Sequence, residues 1–251
     1  MKLRLFLTFA LLCSIALLGD AQIQSPETLH YKVMYKWGLI HKQAGTATLS
    51  IAKTADGYHT LLTAQSAPWA DKFFMVRDTL IGHMSDNPAH PFRYEKIAHE
   101  GGEHKHDIVT YSYSGNKVTG DCIRKVWKKG NLTVDETRTL EAENEALDMI
   151  SSFYFMRNLP FAKMKPGEKR VIPIFSGKRK ETLSITYAGI EEIEIDKKKV
   201  DTYHITFTFT SKDGAKTSDD MDAWIATAPG HIPLKLEGKL PVGKVHCLLM
   251  Q

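Results

Sequence analysis

The apolar residues of this 251-residue chain recur mainly at every second position. In residues 29–37, bulky apolar side chains occupy the odd positions, and among the even positions only Met34 is not lysine or histidine. The same alternation returns in residues 45–51, 182–187 and 203–210. A period of two is typical of a strand with one face on the core. The pattern therefore predicts a chain made mostly of β-strands.

Glycine-containing turn signals separate these stretches at short intervals. They are Asp56-Gly57, Gly101-Gly102, Gly115-Asn116, Gly130-Asn131, Asp213-Gly214 and Pro229-Gly230. Short turns join antiparallel strands, whereas parallel strands need long crossovers, for which the sequence offers no candidates. The prediction is an all-β, mainly antiparallel fold of about twelve strands, arranged as one large curved sheet or a barrel-like structure.

A single stretch has helical periodicity. Apolar side chains recur at steps of three and four across residues 144–159, and Pro160 ends the run. Asn144 and Asp148 are both candidate N-caps, and Arg157 would lie in the last turn, where a cation suits the helix dipole. We expect this amphipathic helix to pack across one face of the sheet or to plug the mouth of the barrel.

The first 21 residues have the composition of a cleaved signal peptide. Lys2 and Arg4 precede an apolar run over residues 5–18, and small residues follow that run. The run is too short to span a bilayer comfortably, and no second long apolar run follows it. We therefore expect residues 1–21 to be removed and residues 22–251 to form a single β-rich domain. Such a protein is periplasmic or otherwise exported, and it does not span the membrane.

The charge balance is mildly basic. Loss of two basic residues and one acidic residue with the signal peptide lowers the formal net charge from +4 to +3. Basic and acidic residues are interspersed, so no footprint for nucleic acid is present. Cys122 and Cys247 remain, and the sequence leaves open whether they form a disulfide or stay as two thiols.

Residues 99–107, HEGGEHKHD, are the stretch that most resembles a functional site. If Gly101-Gly102 form a hairpin turn, then His99, His104 and His106 lie on one face, where imidazoles can bind zinc or copper. The spacing does not match a helical zinc-protease motif, and no general base is evident. We therefore favour a solvated hairpin end and no cofactor, and we keep a metal-dependent enzyme as an alternative.

Residues 66–76 form an aromatic segment with little alternation. Trp69, Phe73 and Phe74 are crowded there, and buried aromatic clusters usually belong to the core. The alternative is that these side chains and Tyr154 of the predicted helix line an apolar cavity between helix and sheet. Such a cavity would suit a lipid-like ligand.

The remaining sequence contains no enzyme motif that we could identify: no Gly-x-Ser-x-Gly elbow, no Cys-x-x-Cys pair and no phosphate-binding glycine loop. We therefore favour a non-enzymatic protein that binds an apolar or amphipathic envelope ligand in the concavity of its sheet. The competing hypothesis is a structural or interaction module with a filled core. Ligand identity, protein partners and oligomeric state are not determined by the sequence.

Several short landmarks together resemble a known family. They are Tyr31-x-Val33-x-Tyr35-x-Trp37-Gly38, Ala44-Gly45, Arg77-Asp78, Pro91-Phe92, the segment from Asp148 to Arg157, Lys165-Pro-Gly167, Trp224 and Ile232-Pro233. Their order and spacing resemble the bacterial exported family catalogued as domain of unknown function 3108. The resemblance implies a β-rich envelope protein of Gram-negative bacteria. It assigns no reaction, ligand or functional residue, and the histidine-rich hairpin is not part of its pattern.

Overall fold

The computed structural model describes residues 24–250 apart from 212–214, 216–217, 219 and 241, so the predicted signal peptide lies outside the described residues. Fourteen strands alternate along the chain: β1 (Glu27–Trp37), β2 (Ile40–Lys53), β3 (Tyr58–Ser66), β4 (Val76–Met84), β5 (Pro91–Glu100), β6 (Glu103–Ser114), β7 (Lys117–Lys128), β8 (Asn131–Glu143), β9 (Lys169–Phe175), β10 (Lys180–Ile195), β11 (Lys198–Ser211), β12 (Met221–Ala226), β13 (Pro233–Lys239) and β14 (Lys244–Leu249). The helices are α1 (Pro68–Asp71), α2 (Met149–Arg157) and a short 3-10 helix (Phe161–Lys163).

All fourteen strands belong to one antiparallel sheet that curls into a nearly closed barrel. Its order runs from β8 back to β1, then through β14 to β9, so the first and last strands pair in the middle of the sheet. The gap between the two edge strands, β8 and β9, is partly bridged by Leu147. Its backbone forms hydrogen bonds with Pro173 and Phe175 at 2.9 and 2.8 Å. The predicted all-β antiparallel fold is confirmed, with two more strands than the sequence indicated.

The interior contains two packed clusters that share one helix. One cluster lies against β9 to β12 and includes Ile172 and Met156, and the other lies against β2 to β8 and includes Tyr94 and Ile150. Met156 and Ile150 both come from α2, so opposite sides of the helix pack on the two halves of the barrel wall. The helix therefore occupies the interior of the barrel and joins its two cores.

Helix α2 is shorter than the predicted range of residues 144–159. Asn144 has a positive φ of 65° and cannot lie in a helix, and the next residues extend along β9 before the helix starts. Asp148 is the N-cap: its Oδ1 accepts hydrogen bonds from the backbone N–H groups of Ile150 and Ser151 at 2.9 and 2.7 Å. The Ser151 hydroxyl in turn accepts the Asp148 N–H at 2.9 Å, which completes a capping box.

The other end of α2 is anchored by a buried ion pair. Arg157 is only 1% exposed, and its guanidinium donates to both carboxylate oxygens of Glu27 at 2.6 and 2.9 Å. It also donates to the Gly230 carbonyl at 2.7 Å, and His231 Nδ1 lies 2.8 Å from the Arg157 carbonyl. Arg157 therefore fixes the end of the helix to the start of β1 and to the loop between β12 and β13.

Substitution of Arg157 by methionine should destabilise the protein by about 3 to 5 kcal/mol, because it leaves the buried Glu27 carboxylate without a counter-ion. The double variant with Glu27→Gln should cost less than the sum of the two single changes. Urea unfolding followed by circular dichroism measures both. Lys199→Ala breaks an exposed ion pair with Glu192 and should change the unfolding free energy by less than about 1 kcal/mol. A loss for Arg157→Met as small as that for Lys199→Ala would contradict the anchoring role.

Candidate functional site

The two ends of the barrel differ. Since consecutive strands are antiparallel, alternate connections lie at the same end, and the Arg157 anchor closes the end where β1 begins. At the other end lie the β5–β6 turn at residues 101–102, the β7–β8 turn at 129–130 and the β9–β10 turn at 176–179. We call this the open end, because a cavity of about 610 Å³ lies within the barrel there.

The cavity is lined by both apolar and charged side chains. Tyr94 and Met149, the first residue of α2, form its floor. In the wall, Val126 and Val134 lie between two charged levels: Lys96, Asp107, Arg124 and Glu136 are deeper, and Glu103 and Lys128 are nearer the open end. Lys105, Lys178 and Glu181 complete the lining. The site therefore combines apolar surface with charged groups throughout its depth.

Most of the charged groups in the wall are paired with one another. Asp107 is 3% exposed and accepts a hydrogen bond from Arg124 at 2.6 Å; burial raises the pKa of Asp107 although the arginine opposes this shift. Lys128 binds Glu103 at 2.7 Å. Within the described part of the chain, Lys178 has no ion-pair partner and is exposed at the entrance. It is the cation best placed to meet an acidic group from outside.

Below the cavity, three buried polar side chains lie around the start of α2: Asp148, Tyr94 and Tyr111. Asp148 uses one oxygen to cap the helix, whereas its Oδ2 and the hydroxyls of Tyr94 and Tyr111 are buried without a hydrogen-bond partner in the described structure. Burial raises the pKa of Asp148 to about 6 despite its hydrogen bonds with Ser151 and Ile150. Burial also raises the pKa of Tyr94 well above its usual value, with a further contribution from the charge of Asp148. The floor thus retains unused hydrogen-bonding capacity.

Two neighbouring carboxylates on the inner face of β4 and β5 have pKa values shifted in opposite directions. Burial raises the pKa of Asp78 to about 6, and the hydrogen bond with Glu100 and the negative charge of Glu100 add to this shift. Burial opposes ionisation of Glu100 as well, but its hydrogen bond with Lys105 and the charge of Lys96 lower its pKa to about 2.

The four residues predicted to line an apolar ligand site do not come together. Tyr154 is fully buried in the core, with its hydroxyl donating to the Ser50 carbonyl at 3.4 Å. Trp69 donates to the Gln43 carbonyl at 2.7 Å outside the barrel, and Phe73 and Phe74 are 83% and 55% exposed. Trp69, Phe73 and Phe74 lie outside the two buried clusters and do not line the open-end cavity, because α1 holds this segment at the open end and away from α2. Ligand binding by these residues stays a prediction.

The residues that do line the cavity were missed by the sequence analysis. One signal was available: the alternation places Lys96, Lys105 and Arg124 on the same face of the sheet as the buried Tyr94 and Val109. Charged side chains on the inward-facing positions of a strand indicate a solvated or ligand-binding interior. Met149 could not be assigned in this way, because its position depends on where α2 enters the barrel.

The histidine hairpin has the predicted register. Gly101 and Gly102 form the turn, and His99 is paired with His104, whose ring lies 4.2 Å from that of His99. The ring of His104 also packs on Trp127 at 4.8 Å, whereas His106 Nε2 lies 2.7 Å from Glu95 Oε1. The three histidines lie on the outer face of the hairpin, and His106 contacts the Glu95 carboxylate.

Among the residues that the structure describes, no three His, Cys, Asp or Glu side chains form a group suited to a metal ion. Metal binding at His99, His104 and His106 stays a hypothesis. Metal analysis of the purified protein tests it, because a bound metal lost in His104→Ala would support a site at the hairpin. Cys122 and Cys247 are both free thiols, and Cys122 is buried.

Substitution of Asp148 by asparagine should change how stability depends on pH. The carboxyl of Asp148 has a folded pKa of about 6 against an ordinary value of 3.8, so its favourable contribution is present at low pH and is lost as the pH rises through 6. Asparagine keeps the cap and does not titrate. The unfolding free energy of wild type minus that of Asp148→Asn should therefore fall by up to about 3 kcal/mol between pH 4 and 7.

Urea unfolding at several pH values measures this difference. Asp135→Asn, on an exposed stretch of β8, is the control for a generic effect of losing a carboxylate. A difference between wild type and Asp148→Asn that is flat across this range would contradict the raised pKa.

Comparison with known proteins identifies a structure with a similar fold and the family of the chain. The structure is similar to the crystal structure of a beta-barrel-like protein of domain of unknown function DUF1849 from Brucella abortus, with a TM-score of 0.60 and 11% identity over 90% of this chain and 96% of that chain. Two further structures align too poorly to support an inference. The hypothetical lipoprotein YmcC of Escherichia coli has a TM-score of 0.34 and 13% identity over 93% of this chain and 92% of that chain. The lipoprotein LppX of Mycobacterium tuberculosis has a TM-score of 0.27 and 12% identity over 90% of this chain and 86% of that chain.

A search of curated proteins finds no significant match. Within the described residues, no helix is both long and apolar enough to cross a bilayer. The profile of the family described as protein of unknown function (DUF3108) matches residues 30–249, which is most of the chain. The chain therefore belongs to the DUF3108 family.

Proposed function

We propose that this chain is an exported envelope protein that binds an amphipathic ligand inside its barrel. In this proposal residues 1–21 direct export, and the remainder acts as a single non-enzymatic domain in the periplasm. The observation that supports the proposal is the cavity of about 610 Å³ at the open end, bounded by Tyr94 and Met149 below, with Val126 in its wall and lysines at its entrance.

The size and lining of the cavity suit an amphipathic molecule. Small-molecule sites usually occupy about 300 to 1,000 Å³ and combine apolar walls with a few polar groups. An apolar tail would pack on Val126 and Met149, with the buried Tyr94 hydroxyl as the polar group closest to the floor. An acidic headgroup would meet Lys178 at the entrance, since the other cations there already have carboxylate partners.

The alternative function, a structural module with a filled core, is favoured by the rest of the interior. Side chains such as Ile150, Tyr154 and Phe175 pack the space around α2 with 1% exposure or less. That packing ends at Met149, and the volume beyond it has no structural role that requires an apolar floor. For this reason the ligand-binding function is preferred.

Substitution of Val126 by tryptophan should fill the cavity and lower the affinity for an amphipathic probe by about tenfold or more. The probe is a dansyl-labelled long-chain fatty acid, whose emission rises and shifts to the blue on entering an apolar site. Fluorescence titration of the intact mature protein measures its binding. The matched control is Val171→Trp on β9, where the side chain is 62% exposed and faces away from the cavity.

Thermal unfolding of both variants confirms that they fold. Equal affinities in wild type, Val126→Trp and Val171→Trp would place the probe elsewhere and contradict the proposal. Absence of binding in all three, with no lipid found by mass spectrometry of the protein purified from envelopes, would favour the filled-core module.

A further inference from the structure

Large apolar side chains are exposed on several loops around the open end. Leu39 is completely exposed at the tip of the β1–β2 turn, Phe73 and Phe74 follow α1, and Leu240 and Val242 lie in the β13–β14 turn. Single exposed apolar residues are common on protein surfaces. Their gathering on separate loops at one end of a barrel is not, because turn tips ordinarily carry polar residues or glycine.

These loops are in contact with one another and form a continuous arc. The Tyr35 hydroxyl donates to the Val242 carbonyl at 3.0 Å, which joins the β13–β14 turn to β1. Trp69 of α1 donates to Gln43 of β2 at 2.7 Å, which joins the β1–β2 hairpin to the next connection. We call the exposed side chains on this arc the apolar rim: Trp37, Leu39, Phe73, Phe74, Leu240 and Val242.

Lysines flank two of the three connections of the apolar rim, and the one carboxylate in the third, Asp71, is paired with Arg77 at 2.7 Å. Residues 36–42 and 239–244 each begin with lysine and end with lysine, and neither segment contains an acidic residue. Lys36, Lys42 and Lys239 are exposed. The β7–β8 turn adds the exposed Lys129, whereas its neighbour Lys128 is paired with Glu103. The surface around the rim is therefore complementary to an anionic partner.

We propose that the apolar rim docks this protein onto the surface of an anionic lipid bilayer. Apolar side chains on separate loop tips can each enter the boundary between headgroups and acyl chains, and lysines behind them meet the anionic headgroups. A protein partner would fit better to one flat apolar face than to scattered tips bordered by lysine. The bilayer is therefore the partner that this geometry and charge favour.

Docking at this end would bring the internal cavity to the membrane surface. The β5–β6 and β7–β8 turns bordering the cavity lie at the same end as the rim, and Gly101 N–H donates to the Met75 carbonyl at 3.0 Å, next to Phe74. An amphipathic ligand would then pass between bilayer and cavity with little exposure to water. This passage rests on the proposed function, whereas the docking itself rests only on the rim and its lysines.

Flotation of the mature protein with lipid vesicles tests the docking. Vesicles of phosphatidylcholine alone are compared with vesicles that also contain phosphatidylglycerol. We expect binding to the anionic vesicles that weakens as salt is raised, and about tenfold weaker binding in the double variant Leu39→Ser and Phe73→Ser. Each of Lys36→Gln and Lys239→Gln should weaken it by about fivefold.

The matched control is Val171→Ser with Ile190→Ser, which removes two apolar side chains that are 62% and 66% exposed on β9 and β10, away from the rim. It should bind vesicles like wild type. Equal binding of the rim variant and the control would overturn the proposal. So would absence of vesicle binding together with self-association that the rim variant abolishes, since the rim would then be an interface between two copies.

The cavity variant Val126→Trp separates the two proposals. If it keeps vesicle binding and loses the fatty-acid probe, both proposals hold. If wild type binds the probe but no vesicles, the docking fails alone, and if it binds vesicles but no probe, the proposed function fails alone.

Discussion

The position of α2 inside the barrel is the constraint on which the rest of the structure depends. A curved sheet of fourteen strands encloses more space than its own side chains fill, so a second element must complete the core. Asp148 fixes where the helix begins, and the buried pair of Arg157 with Glu27 fixes where it ends. The helix therefore closes one end of the barrel and stops short of the other.

The cavity and its electrostatics follow from that placement. Because α2 starts at Met149, short of the open end, the interior beyond it is lined by the strands and the β9–β10 turn, and apolar and charged inward positions alternate in level along these strands. The same end carries the exposed apolar rim and its lysines. The cavity, the unpaired Lys178 at its entrance and the apolar rim thus lie at one end of the barrel, which is the arrangement that the two proposals require.

Much of the fold could be predicted from local pattern, and the site could not. Alternation and turn residues were enough to predict an antiparallel curved sheet or barrel, although not which of the two. They were also enough for the pairing of His99 with His104, since a two-residue turn fixes register locally. The start of α2 was misplaced because extended pairing along β9 overrides the helical periodicity around Asn144. Phe73 was expected in the core or a cavity because aromatic residues usually are buried. Its exposure depends on how the loop that carries it is held by residues distant in sequence, such as Gln43, which accepts a hydrogen bond from Trp69.

The most direct test of the central claim is a crystal structure of the mature protein grown with a fatty acid that carries bromine at the end of its tail. If the interior above α2 is the ligand site, an anomalous bromine peak should lie beside Met149 and Val126, with the carboxylate toward Lys178. A peak outside the barrel, or an ordered interior with no peak while the fatty acid binds in solution, would contradict it.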